Sequence, residues 1–190
     1  YIGFFAFKKS ELFFLYGNYV YYFISFTFFI WLCSINSFLK KKKSEIYAFL
    51  SNHKLALIAS TSIVFLFFFI CPPEYRILAD EANLLSTSKS MYEKNNVFVS
   101  IEEVKILGQK QEMSFSLDKR LAFFPYVLHL IHCIKGYSPN NVYIINAFAS
   151  FGCLFLLYFL IQSLWGKYYG YVAMLLLASY PLFIRYSMSA

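Results

Sequence analysis

NVYIINAFASFGCLFLLYFLIQSLWGKYYGYVAMLLLASYPLFIR, residues 141–185, carries a single charge, Lys167, before it reaches Arg185. A helix crossing the hydrocarbon core needs roughly 17–25 apolar residues, because each adds only ~1.5 Å. The stretch therefore reads as two spans, Val142–Leu164 and Tyr168–Ile184, joined by the tight turn Trp165-Gly166-Lys167. Two more uncharged runs lie upstream, from Leu12 to Leu39 and from Leu55 to Pro73. They predict spans at Leu12–Phe38 and Leu55–Cys71, the second terminated by Pro72-Pro73, which cannot continue a helix. A fifth run, Leu121–Ile134, is 14 residues long and holds Pro125, His129 and His132; that length suits an interfacial or re-entrant helix.

Composition agrees. The chain is 59% hydrophobic and only 14% charged, where a soluble domain has about a quarter of its residues charged. The expected fold class is an all-α polytopic membrane protein with about four transmembrane helices and an outer loop carrying membrane-parallel amphipathic helices. The sequence has no initiator Met and stops just after a hydrophobic run, so it is expected to be an internal piece of a longer protein.

The net charge of +7 does not point to nucleic acid. Lys40, Lys41, Lys42 and Lys43 follow the first span and Lys54 precedes the second, the pattern of a short cytoplasmic loop. The segment from Glu74 to Lys135 carries eight basic and eight acidic residues, so no basic groove for a phosphate backbone is built there. With the lysines inside, three regions follow: 1–72, two spans and the Lys-rich loop; 73–140, an extracytoplasmic loop; 141–190, two further spans. His53, in the inner loop, is expected to be solvated. The four cysteines form no CxxC pair. Cys71 and Cys133 fall on the same outer side, where they could pair in an oxidising compartment; free, buried thiols are the simpler state.

Within the outer loop, Leu78, Ala82, Leu85 and Tyr92 recur at helical spacing opposite Lys89 and Glu93, predicting an amphipathic surface helix over Ile77–Tyr92. Asn95-Asn96 breaks it. Val97–Ile106 alternates weakly, as a strand or extended segment would, and Gly108–Ser116 reads as a polar loop. Gly136 is placed to cap the Leu121–Ile134 helix, and Ser138-Pro139-Asn140-Asn141 to turn the chain into the third span.

The ordered set ILADEANLLSTSKSMYEKN (77–95), DKRLAFFPYVLHLIHCIKGYSPNN (118–141) and the two spans ending in SYPLFIR (179–185) resembles the lipid-linked-sugar glycosyltransferases of the GT-C fold. The resemblance is closest to the protein mannosyltransferase and aminoarabinose transferase group (glycosyltransferase family 39-like). It covers residues 74–186. Asp80-Glu81 stands in the place of that family's acidic pair at the start of a loop helix. Lys119 to Pro125 matches its basic-proline stretch, Gly136-Tyr137 its glycine turn and Ser179 to Leu182 its end-of-span motif. Two departures are visible. Leu121-Ala122-Phe123-Phe124 delays the proline to Pro125, and two spans precede the loop where the simplest family layout has one.

The resemblance implies transfer of a sugar from a polyprenyl-phosphate donor to an acceptor hydroxyl on protein, lipid or glycan. It implies integral location in a bacterial inner membrane, with the chemistry at the outer face. Asp80 would be the general base, and Glu81 would orient the acceptor or help to hold a divalent metal, should one be required. On the residues alone, Asp80 also reads as a helix N-cap, with Glu81 favoured by the dipole of the first turn. Lys119 and Arg120 would hold the lipid phosphate, or snorkel to headgroups. Arg185 would contact the donor phosphate, or anchor the fourth span to headgroups. His129 and His132 stand three apart, a spacing compatible with two ligands of one metal, with no third ligand evident. A non-catalytic alternative, a transporter piece or an assembly subunit, leaves the acidic pair without a role. A transporter would also need polar groups near the midplane, and the spans offer few beyond Asn18, Asn146 and Gln162.

Overall fold

The computed structural model describes residues 9–73, 79–106, 109–117 and 121–188. Its helices are α1 (Lys9–Lys41), α2 (Lys43–Asn52), α3 (Lys54–Ile70), α4 (Ala79–Lys94), α5 (Phe123–Lys135), α6 (Asn141–Trp165), α7 (Lys167–Ala178) and α8 (Pro181–Ser187). Strands β1 (Phe98–Ile106) and β2 (Gln109–Leu117) form an antiparallel hairpin, with Phe98 opposite Leu117 and a register irregularity between Ser100 and Glu103. Helix therefore dominates. Two helices, α1 and α6, are long and apolar enough to cross a membrane, and α2–α3 makes a third if the bent pair is counted as one span.

The chain divides into two compact units, Tyr1–Ile35 with Ile77–Asn141, and Asn36–Arg76 with Val142–Ala190. In the first, α4 packs on α5 and on β1. Its core is Met91, Val97 and Tyr126, bordered by Val20, Tyr21, Ile24 and Phe28 of α1 and by Ala122 and Leu130. The hairpin meets α1 at Gly17. The Val97 amide donates to the Gly17 carbonyl at 2.9 Å, and the Phe98 ring lies so close that a Cβ on Gly17 would clash with it. Glycine suits the position because the Phe98 ring occupies the space a side chain would take.

The second unit is built on small residues. Ala56 and Ser60 of α3 are fully buried, and Val64 and Phe67 continue the same stripe. Ser60 donates to the Met174 sulfur at 3.2 Å, and Gly170 of α7 lets the chain approach Tyr158 of α6. Such residues let helices approach closely, which is how packing develops where lipid removes the hydrophobic drive between them. Ser150 donates to Ser187 at 2.7 Å, tying α6 to α8.

Several expectations hold locally. Helix α3 stops at Ile70 ahead of the prolines, Asn95 ends α4 with φ 54°, and Gly136 caps α5 with φ 83° and its amide on the His132 carbonyl. Gly166 (φ 98°) separates α6 from α7. The weakly alternating segment is β1. All four cysteines are free, and Cys33, Cys133 and Cys153 are exposed instead of buried.

Other expectations are corrected. Gly108–Ser116 is no polar loop: from Gln109 onward it is β2, because pairing with β1 supplies the backbone partners that its own polarity does not reveal. The lysine-rich loop is helical, with α1 running through Lys41 and α2 meeting α3 at 69°. His53 sits at that bend and is buried, ringed by Phe49, Tyr158 and Phe159, not solvated. The fourth predicted span is not one helix. Pro181 has no amide to continue the ladder, Tyr180 before it is extended (ψ 116°), and the run splits into α7 and the seven-residue α8.

Replacing Gly17 by Val should destabilise the protein by about 1–3 kcal/mol, since the Phe98 ring must move. Thermal unfolding in detergent measures it, and adding Phe98→Ala should recover less than additive loss from the pair.

Candidate functional site

Helix α4 has no apolar stripe of ordinary width, and its sequence, ADEANLLSTSKSMYEK, is rich in hydroxyls. The face expected to be apolar is not the buried one. Ala82 and Tyr92 are exposed, while Thr87, Ser88, Ser90 and Met91 are buried. Burying hydroxyls in a helix requires partners, and the helix supplies two of them itself. Thr87 donates to the Asn83 carbonyl (2.9 Å) and Ser88 to the Leu85 carbonyl (2.8 Å).

With its proton committed to Leu85, Ser88 Oγ is free only to accept. His132 of α5 stands 3.4 Å away through Nε2, and its Nδ1 faces the Asn141 side-chain amide at 2.9 Å. The same Asn141 amide donates to the Gly136 carbonyl, also at 2.9 Å. Both amide hydrogens are thereby spent, Nδ1 must accept, and Nε2 must carry the proton. The chain of bonds Asn141 → His132 → Ser88 → Leu85 fixes one tautomer of a neutral imidazole. Tyr137 and Tyr92 close over the ring, at 4.9 and 6.0 Å between centroids, and Lys89 lies 6.0 Å from the Tyr137 ring.

One turn earlier on α5, His129 is also buried and lies 3.2 Å from the Tyr21 hydroxyl, with the Cys133 sulfur 3.6 and 3.7 Å from its two ring nitrogens. Burial pushes the pKa of both histidines below the ordinary value; for His132 the neighbouring His129 adds to the effect. The two are buried histidines of this unit. Among the described residues, no three His, Cys, Asp or Glu side chains gather as a metal site.

Asp80 and Glu81 occupy the first turn of α4, where the helix dipole favours carboxylates. The Asp80 side chain lies outside what the structure describes. Glu81 is half-buried, and its Oε2 is fully buried with no hydrogen-bond partner among the described residues. It precedes Ser88 by seven residues, so the two share a helix face about 10 Å apart along the axis. Lys119 and Arg120 lie outside the described residues. Arg185 is exposed in the last turn of α8, in the other unit. Of the five residues expected to form the site, only Glu81 and Arg185 have described side chains, and they belong to different units.

The Ser88–His132–Asn141 chain was not foreseen as a unit. Its sequence signal is faint: a glycine cap four residues after a histidine, then an asparagine opening the next helix. No family model, curated protein or solved structure matches this chain.

Asn141→Ala should leave the Gly136 carbonyl and His132 Nδ1 unpaired in a buried setting. A loss of about 1–3 kcal/mol is expected in detergent unfolding, whereas Asn140→Ala, at an exposed neighbour, should cost far less.

Proposed function

We propose that this chain is a membrane glycosyltransferase that moves a sugar from a polyprenyl-phosphate donor to an acceptor hydroxyl at the outer face of a bacterial inner membrane. The observation that carries the reading is the acidic pair at the head of α4, whose Glu81 holds a buried carboxylate oxygen with no hydrogen-bond partner among the described residues. Leaving such an oxygen desolvated and unpaired costs free energy, and groups kept at that cost concentrate where a ligand completes them. The order of motifs around the pair is that of the lipid-linked-sugar transferases. The apolar helices supply the membrane setting; four spans and an outer residue 73–140 loop are the topology the reading adopts. An apolar groove beside Ile24, Phe28, Trp31 and Phe123 offers an isoprenoid chain a surface of matching chemistry.

In this mechanism the acceptor oxygen attacks the anomeric carbon. The new C–O bond forms as the bond from that carbon to the phosphate oxygen breaks, and polyprenyl phosphate leaves with the electron pair. Asp80 takes the acceptor proton, and Glu81 orients the hydroxyl through its free oxygen. Lys119 and Arg120 are the cations this reading assigns to the departing phosphate, with a divalent metal the other source of positive charge. Acceptor protein, lipid or glycan would each present the same hydroxyl chemistry.

Membranes holding the full-length protein, supplied with radiolabelled polyprenyl-phosphate sugars and a hydroxyl acceptor, should show transfer. Asp80→Asn should lower the rate by about 10²–10⁴ at equal abundance, the usual contribution of a positioned base. Glu81→Gln, which keeps an oxygen in place, should lose less. Equal activity of Asp80→Asn and wild type would remove Asp80 from the chemistry. No transfer from any donor would move the protein to the non-catalytic class.

A further inference from the structure

We propose that His132, Asn141 and Ser88 form an acid-released clasp that holds α4 against α5 and against the Gly136–Asn141 turn. The inference stands apart from the proposed reaction and needs no substrate. The geometry makes the clasp depend on a neutral ring. Asn141 points an N–H at His132 Nδ1 while its other N–H is held by the Gly136 carbonyl. A proton on Nδ1 would set two donors face to face. Rotating the Asn141 amide to present its oxygen would instead turn that group's nitrogen away from Gly136 and leave the Gly136 carbonyl unpaired. Neither arrangement preserves all the bonds, so the closed form disfavours the imidazolium.

The neighbours do not offset this. Facing the ring are Tyr92 and, through Tyr137, the Lys89 cation from α4, Tyr137 itself from the turn, and His129 from α5, which in turn meets Tyr21 of α1. Among the described residues, the hydrogen-bond partners of His132 are Ser88 and Asn141, and neither is a carboxylate. The burial that lowers the pKa of His132 acts in the same direction. An opened clasp exposes a histidine of ordinary pKa, ~6.5. The open form therefore binds the proton more strongly, the clasp is complete above about pH 6.5, and it loosens as pH falls below that value.

Amide hydrogen exchange of the full-length protein in nanodiscs at pH 7.5 and 5.5, corrected for intrinsic exchange rates, tests this on peptides covering 84–94 and 128–143. Wild type should lose about tenfold in protection at pH 5.5, one proton's worth of linkage over one pH unit below 6.5. His132→Gln should abolish that pH response, and His129→Gln should retain it. Asn141→Asp places a carboxylate where Nδ1–H can donate, so protection should be greater at pH 5.5 than at 7.5. Unchanged protection in wild type overturns the proposal, as does a response that survives His132→Gln or disappears with His129→Gln. Should His132→Gln fail to fold, an Asn141→Asp protein that loosens in acid as wild type does overturns it equally.

Discussion

Many of the polar side chains in the described helices hydrogen-bond carbonyls of their own helix. Asn18, Ser25, Thr27, Ser34 and Thr61 donate to carbonyls three or four residues back, as do Thr87, Ser88 and Ser187. That habit suits an apolar medium, where an unpaired donor has no water to turn to. It also leaves tertiary structure with few polar contacts to use. Those that do reach between elements are correspondingly informative, among them Ser150 to Ser187 and Ser60 to Met174 in one unit, and Tyr21 to His129 and Asn141 to His132 to Ser88 in the other. Packing does the rest, through close approach at Gly17, Ala56, Ser60 and Gly170.

The sequence was most legible where backbone chemistry is absolute. Pro72, Asn95, Gly136 and Gly166 each mark a helix boundary because an absent amide or a positive φ leaves no alternative. The long uncharged runs that became α1 and α6 were equally plain, since a stretch of that length without charge suits the hydrocarbon core and little else. Pro181 showed the limit of counting charges: the run Tyr168–Ile184 is uncharged, yet its proline divides it.

Burial was harder to read, for a physical reason. On α4 the spacing of Leu, Ala and Tyr pointed to one face, and the structure buries a face of Thr, Ser and Met. Hydroxyls that bond their own helix lose most of the penalty that makes them look like surface residues, so periodicity in apolarity mispredicts the side that packs. His53 was misjudged similarly, because a histidine ringed by aromatic side chains is identifiable only once distant residues are placed. The hairpin escaped notice in its second strand because a strand's partners are set by pairing, not by its own composition.

Helix α4 carries two features of note, two turns apart on one face: near its start the Glu81 oxygen, which has no hydrogen-bond partner among the described residues, and further along the Ser88 contact. An α-helix transmits displacement along its axis with little loss, because each backbone bond stiffens the next. Whatever fixes Ser88 against α5 therefore also fixes where Glu81 stands. Under the proposed reaction, a carboxylate that must meet an incoming hydroxyl within a few tenths of an ångström needs such a distant anchor, since its own turn lies at the end of the helix, where backbone bonds are incomplete. The Asn141–His132–Ser88 chain would supply it. That chain grips α4 past its midpoint, at buried Ser88 and beside fully buried Met91, while the Glu81 oxygen has no hydrogen-bond partner among the described residues.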